Sequence, residues 1–277
     1  MGKTVLVSGS SSGIGLEACK LFAEAGWSVV AGMRNAAGRK TLLHDERRVN
    51  IIDLDVTDSE SMKKAVEYTV TNFGGIDVLV NNAGYALTGV FEHYEEELVK
   101  KQFDTNFMGI VRLTGEVLPH MKKQKSGTIV NVASVGGRVT FPFYSFYHGT
   151  KWAVEGFSES LQHELVPFNI KIKIVEPGPV KTDFYDRSMN ILEPKPGDGY
   201  EDYFSTAFKN MNSAGNTGIS AKKAAKKIVK AASDPGWKLR YPVGSKGILY
   251  LRRLLPDVLF NGIVRSIILR GFKNSKK

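Results

Sequence analysis

The first fifteen residues of the chain contain a short apolar run that leads directly into a glycine-rich turn. Val5, Leu6 and Val7 form the run, and glycines follow at positions 9, 13 and 15 with the spacing Gly-x-x-x-Gly-x-Gly. Glycine lets a backbone turn tightly and approach a bound group closely. A helical pattern begins inside the turn, and its N-terminus would offer free N–H groups to an anion. Strand, anion-binding turn and helix in this order are typical of an α/β fold.

The alternation of strand and helix continues along the chain. Short apolar, β-branched runs predict parallel strands covered on both faces, and the amphipathic stretches between them predict helices. We therefore predict an α/β, Rossmann-type doubly wound fold, with a seven-stranded parallel sheet flanked by helices in a single domain. The predicted strands are Thr4–Ser8, Trp27–Gly32, Val49–Leu54, Ile76–Asn81, Gly127–Val132, Ile170–Glu176 and Lys238–Pro242, and the predicted helices are Gly13–Ala25, Ser59–Phe73, Glu95–Met121, Tyr144–Val166 and Ser220–Ser233.

The domain organisation follows from length and composition. A chain of 277 residues allows one large domain or two small ones, and no linker or internal repeat divides it. We assign residues 1–245 to the main domain and residues 246–277 to a C-terminal extension. Residues 184–219 contain several prolines and glycines and follow neither periodicity, which predicts a long mobile loop near the substrate.

The positive charge is concentrated in the extension. The net charge is +10, and residues 246–277 hold eight basic residues against one acidic residue, a net +7 that leaves only +3 for the remainder. No helix-turn-helix, zinc-finger or RNA-binding signature is present, so no nucleic-acid partner is expected. The sequence shows no secretory signal and no apolar stretch near the ~18 residues that span a bilayer. With a single cysteine, Cys19, we expect a cytoplasmic protein.

The glycine-rich turn suits a dinucleotide pyrophosphate. Ser11, Ser12 and Ile14 stand among Gly9, Gly13 and Gly15, where backbone N–H groups would face the phosphates. A glycine-rich loop by itself is often only a turn, but its position after the first strand favours the cofactor site.

The residues after the second strand indicate which nicotinamide cofactor is bound. An acid at this point would bind the ribose 2′-hydroxyl of NAD, whereas an arginine accommodates the 2′-phosphate of NADP. The chain presents Arg34 and Asn35 here, and no acid appears before Asp45. The planar guanidinium fork suits phosphate, so we favour NADP(H) over NAD(H). The alternative is a solvated surface arginine.

Polar residues also end the third and fourth strands. Asp55 and Val56 follow the third strand and would lie beside the adenine. Asn82, Ala83 and Gly84 follow the fourth strand, where side-chain amides can fix strand ends and line the cofactor cleft. Each of these residues could alternatively serve ordinary turn chemistry.

Tyr147 and Lys151 lie four residues apart within a predicted helix, and Ser134 lies thirteen residues before the tyrosine. This spacing places phenol and ammonium on one helix face. A phenol normally titrates near pH ~10, and a neighbouring ammonium lowers its pKa toward the range that general acid–base catalysis requires. His148 follows Tyr147 directly and is turned to another face, so we do not expect it to act as the base. His93, His120 and His163 are expected at the surface, and no metal-ligand spacing is present.

Six motifs follow one another between residue 3 and about residue 242. They are the Gly9/Gly13/Gly15 turn, Asp55-Val56, Asn81-Asn82-Ala83-Gly84 with Asn106, Ser134, the Tyr147/Lys151 pair, and Pro177-Gly178-Pro179-Val180-Lys181-Thr182. In this order they resemble the short-chain dehydrogenase/reductase family, with Ser8 in place of a frequent threonine. Met33-Arg34-Asn35 and the basic extension look most like the branch of hydroxysteroid, retinol and related carbonyl reductases.

The resemblance implies an NAD(P)-binding catalytic domain that moves hydride between nicotinamide and a carbonyl or alcohol group. Tyr147 would exchange a proton with the substrate oxygen, and Ser134 would hydrogen-bond the same oxygen. Lys151 would lower the pKa of the phenol and hold the nicotinamide ribose. Asn106 would bind a water that links Lys151 to solvent.

The resemblance also implies contacts around the nicotinamide and between subunits. Pro177 and Gly178 would belong to the cofactor site, and the backbone of Val180 and the hydroxyl of Thr182 would hold the carboxamide. Family members often form dimers or tetramers through the helices here predicted at Glu95–Met121 and Tyr144–Val166, so a homodimer or homotetramer is expected.

Aromatic residues cluster in the segments near the proposed site. They favour a hydrophobic ketone, aldehyde or alcohol as substrate, such as a steroid, a retinoid or an acyl chain. One alternative is a ketoacyl reductase whose basic extension meets an acidic carrier protein. Another is an NADP(H)-sensing interaction protein without turnover. The aromatic residues are Tyr85, Phe141, Phe143, Tyr144, Phe146, Phe184, Tyr185, Tyr200, Tyr203, Phe204 and Phe208.

The C-terminal extension allows two interpretations. Phe260, Ile263, Val264, Ile267 and Ile268 share one helical face, with basic residues elsewhere around the helix. This face could pack on the domain or on a partner subunit, which is the commoner arrangement. Alternatively, it could place residues 246–277 in peripheral contact with an anionic membrane.

Overall fold

The computed structural model describes residues 2–181, 189–216 and 218–272. Its centre is a seven-stranded sheet in which every neighbouring pair of strands is parallel, in the order β11-β7-β6-β4-β1-β2-β3. The predicted sheet is thereby confirmed. Its strands are β1 (Thr4–Ser8), β2 (Ser28–Met33), β3 (Val49–Asp53), β4 (Val78–Asn81), β6 (Gly127–Val132), β7 (Ile170–Pro177) and β11 (Arg240–Val243).

Within the described ranges, four short strands lie outside this sheet. β5 (Ala86–Gly89) pairs with β9 (Met189–Leu192), and β8 (Val180–Lys181) pairs with β10 (Ile219–Ser220). The described helices are α1 (Gly13–Glu24), α2 (Ser59–Phe73), α3 (Glu96–Phe103), α4 (Gly109–Gln124), α5 (Ser145–Leu165), α6 (Glu201–Asn216), α7 (Ala221–Ser233), α8 (Lys246–Leu254) and α9 (Asp257–Ile268).

The sheet buries a core on each face, as its strand periodicity requires. In β1, Val5 and Val7 point into a cluster with α1 and α7, whereas Leu6 points into a cluster with α2 and α4. Successive strand residues face opposite sides, so a strand covered on both sides is apolar throughout. Cys19 is fully buried in the first cluster, and burial raises the pKa of its thiol, as a structural cysteine requires.

Two sequence predictions about local structure were wrong. Residues 184–219 are not one loop, because 189–192 form β9 and 201–216 form α6. Pro194, Pro196, Gly197 and Gly199 lie in the connection between β9 and α6, and Gly215 and Gly218 lie at the end of α6 and just after it. α6 begins with Glu201 and Asp202, which favour a helix N-terminus, and it buries Ala207 and Phe208.

The long helix predicted at Glu95–Met121 is interrupted. α3 and α4 are joined by a π-helical segment, Asp104–Met108, and α4 continues to Gln124. A π-helical turn inserts an extra residue, and sequence periodicity alone does not reveal it.

The C-terminal extension forms α8 and α9, which pack against the main domain. Leu249 of α8 and Phe260 of α9 join Val135 and Val139 in one apolar cluster. Asn210 of α6 donates to the Ile268 carbonyl at 2.8 Å near the end of α9. Within residues 2–181, 189–216 and 218–272, no helix has the length and apolar composition needed to cross a membrane.

Candidate active site

The glycine-rich turn between β1 and α1 is packed tightly against the end of β4. Gly9 and Gly13 adopt φ of +67° and +57°, a region that favours glycine. A Cβ at Gly15 would lie 2.4 Å from the Gly9 carbonyl oxygen and 2.5 Å from Asn82 Nδ2. The Asn82 amide donates to the carbonyls of Ser8 and Gly9 at 3.1 and 2.9 Å. Asn82 thus fixes the conformation of the turn. Position 15 requires glycine, because the backbone of the turn and the Asn82 side chain approach it too closely for a Cβ atom.

The N-terminus of α1 is available to an anion. Ser12 is the N-cap, yet its side chain makes no capping hydrogen bond, and the first turn holds no acidic residue. An uncapped N-terminus keeps its partial positive charge and its unpaired N–H groups, which is the donor set that a pyrophosphate needs. Ile14 is the half-buried residue that anchors this turn to the core.

The Ser8 hydroxyl fastens the loop that follows β4. It accepts hydrogen bonds from the backbone N–H groups of Asn82 and Ala83 at 3.1 and 3.3 Å. Ser8 therefore provides the polar contact at this strand end, although the resemblance often places threonine here.

The two residues predicted beside the adenine, Asp55 and Val56, lie just after β3 and contact other parts of the protein. The Asp55 carboxylate accepts from the backbone N–H and hydroxyl of Thr57 at 2.9 and 2.7 Å. Val56 is buried, and a Cβ at Gly109 would lie 2.8 Å from its Cγ2. Both residues thus have structural partners at the predicted adenine edge.

Two arginines lie at the end of β2 beside the glycine-rich turn. Arg34 is exposed, and Asn35 adopts a left-handed conformation while its N–H donates to the Asp53 carboxylate at 2.8 Å. Arg39 reaches back across this edge, and its Nη1 donates to the Ser11 hydroxyl at 3.3 Å. Arg39 was not among the predicted cofactor residues, because the family motif concerns only the residue directly after the strand.

Asn106 is buried in the π-helical segment and holds the loop after β4. Its Oδ1 accepts from the Tyr85 N–H at 3.0 Å, and its Nδ2 donates to the Tyr85 carbonyl at 2.7 Å and to the Thr150 hydroxyl at 3.2 Å. A Cβ at Gly84 would lie 3.1 Å from Asn106 Oδ1 and 3.9 Å from Lys151 Nζ. The structure thus brings Gly84, Asn106 and Lys151 together.

Lys151 and Tyr147 share one side of α5, as their spacing predicts. Lys151 is buried, its Nζ donates to the Val132 carbonyl at 2.9 Å, and the same atom lies 5.8 Å from the centre of the Tyr147 ring. Burial lowers the pKa of Lys151 to about 8, against the opposing effect of Glu155. The amine therefore stays mostly protonated at pH 7 and supplies a cation beside the phenol.

Ser134 lies just beyond β6 in extended conformation, before a short 3₁₀ turn, Val135–Gly137. Its hydroxyl oxygen accepts from the Gly136 N–H at 3.0 Å, which leaves its O–H proton available to donate elsewhere. The hydroxyl is thus fixed at the carboxyl end of a central strand.

The segment after β7 is held by the neighbouring edge strand. Pro177 ends β7, Gly178 donates to the Val243 carbonyl at 2.9 Å, and a Cβ at Gly178 would lie 2.5 Å from the Gly244 oxygen. Val180 is buried in β8. Thr182, together with Phe184 and Tyr185, lies outside the described residues.

Comparison with known proteins agrees with this arrangement. Residues 3–190 match the family model for short chain dehydrogenases. The chain belongs to the short-chain dehydrogenase/reductase family. Members are oxidoreductases acting on CH–OH groups, so the prediction of an enzyme of this family is confirmed.

Individual members of the short-chain dehydrogenase/reductase family match most of the chain. The 3-ketodihydrosphingosine reductase of Bacteroides thetaiotaomicron is 35% identical over 241 residues, which cover 87% of each protein. Retinol dehydrogenase 8 of Bos taurus is 38% identical over 254 residues, 86% of this chain and 80% of that protein.

Solved structures of the family have the same fold. A short-chain dehydrogenase from Streptomyces avermitilis superposes with a TM-score of 0.80 at 31% identity, over 99% of both chains. ElxO with NADP bound superposes with a TM-score of 0.73 at 29% identity, over 88% of this chain and 98% of that one.

In this short-chain dehydrogenase/reductase, His148 joins the two segments that carry Ser134 and Tyr147. Its Nε2 accepts from the Phe141 N–H at 3.0 Å, so Nδ1 carries the proton and donates to the Gly136 carbonyl at 2.9 Å. His148 is buried, and burial lowers its pKa to about 4. The prediction that it is not the base stands, but sequence analysis missed this structural role. His93 was wrongly placed at the surface: its side chain is 12% exposed and its Nε2 lies 3.2 Å from Asp198 Oδ2.

Behind Lys151 lies a buried group of charges. Glu155 of α5 and Glu176 of β7 both approach Arg240, whose Nε lies 2.9 Å from Glu155 Oε2 and 4.0 Å from Glu176 Oε1. Arg138 Nη1 lies 3.4 Å from Glu176 Oε1, and Glu159 binds Arg240 from the exposed side at 2.6 Å. Burial and the neighbouring Glu176 charge raise the pKa of Glu155 to about 7.

The raised pKa of Glu155 and the lowered pKa of His148 act on stability in opposite directions. In the unfolded chain His148 binds a proton below pH 6.5, whereas in the folded protein it stays neutral down to about pH 4. The free energy of unfolding therefore falls with pH over this range. In the folded protein Glu155 keeps its proton up to about pH 7, whereas the unfolded chain releases it above pH 4.5. The contribution of Glu155 to the free energy of unfolding therefore increases as the pH falls from 7 to 4.5.

We expect Glu155→Gln to expose the acid sensitivity due to His148. Between pH 7 and 4.5 its free energy of unfolding should fall relative to the wild type by about 2–3 kcal/mol, at 1.36 kcal/mol per pKa unit. Urea unfolding at several pH values measures this. Glu159→Gln, which alters the exposed partner of the same arginine, is the control. Parallel pH profiles for the wild type and Glu155→Gln would contradict the assignment.

Proposed function

We propose that this chain is an NADP(H)-dependent oxidoreductase that interconverts a hydrophobic carbonyl compound and its alcohol. The proposal is supported chiefly by the approach of Lys151 Nζ to the Tyr147 ring at the sheet edge where the uncapped α1 N-terminus lies. When bound, the nicotinamide cofactor supplies the hydride. The protein's own residues would move the proton and hold the substrate.

The proton would come from Tyr147. In the reductive direction negative charge develops on the carbonyl oxygen, and the phenol would donate its proton there. Ser134 would donate its O–H to the same oxygen, since its own oxygen is already engaged by the Gly136 N–H. Lys151 would stabilise the phenolate that Tyr147 leaves behind. Asn106 would position this site through its contacts with Tyr85 and Thr150.

Three observations support NADP(H) over NAD(H). Arg34 and Arg39 both lie at the edge of the glycine-rich turn, the side where a ribose 2′-phosphate would sit. The nearest carboxylate at the strand end, Asp53, is already engaged by the Asn35 N–H. ElxO, a structural relative, has NADP bound. Arg39 would extend the phosphate contact that the sequence assigned to Arg34 alone.

We expect Arg34→Ala and Arg39→Ala each to raise KM for NADPH while leaving KM for NADH nearly unchanged. Loss of one charge-assisted contact worth about 1.5–3 kcal/mol corresponds to a roughly ten- to hundredfold change. Arg47→Ala, at an exposed arginine in the same β2–β3 connection, is the matched control. Equal changes with both cofactors would show that the two arginines do not read the 2′-phosphate.

The substrate pocket would be aromatic. Phe143 has a left-handed φ of +65°. The centre of its ring lies 5.0 Å from that of Phe204 and 6.0 Å from that of Phe208, both on α6. Tyr144 packs against Tyr147 and Phe208, both at 6.2 Å. α6 thus brings an apolar wall to the proton donor, which suits a steroid-, retinoid- or acyl-like substrate. The names of two relatives, 3-ketodihydrosphingosine reductase and retinol dehydrogenase 8, support this class.

One screen tests the proposed function. NADPH oxidation would be followed with long-chain 3-ketones, retinal, a ketosteroid and small polar sugars, and with a ketoacyl group either free or on its acidic carrier protein. Turnover of free hydrophobic carbonyls is the expected result. A preference for polar sugars or for carrier-bound substrates would overturn the assigned class. NADPH binding without turnover of any carbonyl would favour the sensing protein instead.

A further inference from the structure

The two C-terminal helices turn apolar side chains toward solvent. α8 and α9 bury one side each, with Leu249, Phe260 and Ile268 inward. Along an ordinary surface helix the opposite side is polar. Here it carries large apolar residues at high exposure, namely Tyr250 at 66%, Leu251 at 45%, Leu254 at 61%, Val258 at 83%, Leu259 at 58%, Ile263 at 40% and Ile267 at 61%. We call these seven residues the outward face.

The helical spacing accounts for the outward face. In α8, Tyr250 and Leu254 are four residues apart and lie on the same side, away from buried Leu249. In α9, Leu259, Ile263 and Ile267 form the row next to the inward Phe260 and Ile268. The sequence predicted a single apolar face for Ile263 and Ile267 together with the inward residues. The structure divides that face, so packing on the domain uses only part of the apolar surface.

The extension that carries the outward face also carries exposed basic residues. Lys246, Arg253, Arg265 and Arg270 are exposed, whereas the single acid, Asp257, is paired with Arg252. The extension carries a net +7. If two copies of the chain associated through this face, two extensions, each with a net charge of +7, would be brought together. Like charges at close range repel, which disfavours such a dimer. An anionic lipid surface satisfies both features, since its headgroups attract the cations and its acyl region accepts the apolar side chains.

We propose that the outward face of α8 and α9 docks on an anionic lipid bilayer. The helices would lie in the plane of the membrane, since neither crosses it. Apolar insertion and charge attraction act together in this mode, so binding should need anionic lipid and weaken as salt is raised. The proposal does not depend on the cofactor or the substrate, and its failure would leave the proposed oxidoreductase activity untouched.

Sedimentation of the full chain with vesicles tests the proposal. Vesicles of phosphatidylcholine alone and of phosphatidylcholine mixed with phosphatidylserine are compared at low and high salt. Point variants are preferable to truncation, because deleting the extension would also remove Leu249 and Phe260 from the cluster with Val135, next to Ser134. Two variants are informative: one replaces Tyr250, Leu254, Leu259 and Ile263 with serine, and the other replaces Arg253, Arg265 and Arg270 with glutamine.

The expected result is binding to phosphatidylserine vesicles that either variant lowers by about tenfold or more. Lys222→Gln/Lys223→Gln/Lys226→Gln on α7 removes the same number of exposed charges elsewhere and should bind as the wild type does. Thermal unfolding checks that each variant is folded. Equal sedimentation by all variants, or by none, would overturn the proposal. Two other results would also overturn it. One is dimerisation through the outward face, measured by light scattering, without vesicle binding. The other is capture by poly-glutamate that is unaffected by the serine substitutions.

Discussion

Replacing Tyr147 with phenylalanine is expected to lower turnover by about 10²–10⁴-fold, the usual contribution of a positioned acid–base group. The ring would keep its contacts with Tyr144 and His148, at 6.2 and 6.0 Å, so the fold should be retained. The substitution removes the phenolic O–H, which is the proposed proton donor. Steady-state NADPH oxidation gives kcat, and quenching of protein fluorescence by NADPH gives cofactor affinity, which should change little.

A second tyrosine provides the control for this substitution. Tyr94 is 46% exposed, and the centre of its ring lies 5.5 Å from that of Phe91 and 5.6 Å from that of Phe146. Tyr94→Phe should therefore leave turnover within a factor of about two, as expected for surface changes that remove no buried contact. If Tyr147→Phe retained full activity with intact cofactor binding, the proton donor would have to be another group.

Lys151→Met is expected to cause a loss of similar size, about 10²–10⁴-fold in kcat/KM. Methionine approximates the length of the lysine side chain without its charge. The ammonium that donates to Val132 and faces Tyr147 would be absent, so the pKa of the phenol would rise. Alcohol oxidation needs the phenolate, and its rate should therefore increase only at higher pH than in the wild type.

The shift of the pH profile separates this role of Lys151 from simple misfolding. A merely destabilised protein would lose activity without moving the pH range over which alcohol oxidation rises. Lys171→Met, at a β7 lysine that contacts Asn169 at 3.0 Å, is the control and should leave the profile in place. An unchanged pH profile in Lys151→Met would show that the lysine does not set the pKa of the phenol.

Sequence predicted the sheet well because its signal is local. β1 and β6 have their predicted bounds, and α2 begins and ends at the predicted Ser59 and Phe73. The uniformly apolar runs of parallel strands and the capped amphipathic helix are both visible within a short window. The meeting of Gly84, Asn106 and Lys151 follows from motifs whose order the family resemblance supplies.

Features that depend on contacts between distant segments could not be predicted in this way. Arg39 approaches Ser11 only because the β2–β3 connection folds back over the first turn. The role of His148 requires knowing that Gly136 and Phe141 flank the imidazole. The burial of Glu155 beside Glu176 depends on the packing of α5 on β7. In each case the residue type was visible, but its partner was set by tertiary structure.

The π-helical segment Asp104–Met108 gives one continuous helix two angular phases. Each residue of an α-helix advances by about 100°, so one inserted residue rotates all that follows by that angle. In a regular α-helix Gln102 and Leu113, eleven residues apart, would lie within about 20° of one another, whereas one inserted residue separates them by about 80°. The buried sides of α3 and α4 therefore point in different directions. Gln102 donates to the Tyr85 carbonyl at 3.3 Å, and Leu113, Val117 and Met121 pack in the apolar cluster that covers the sheet. The local irregularity thus lets one continuous helix hold the Tyr85 segment with one part and cover the sheet with the other.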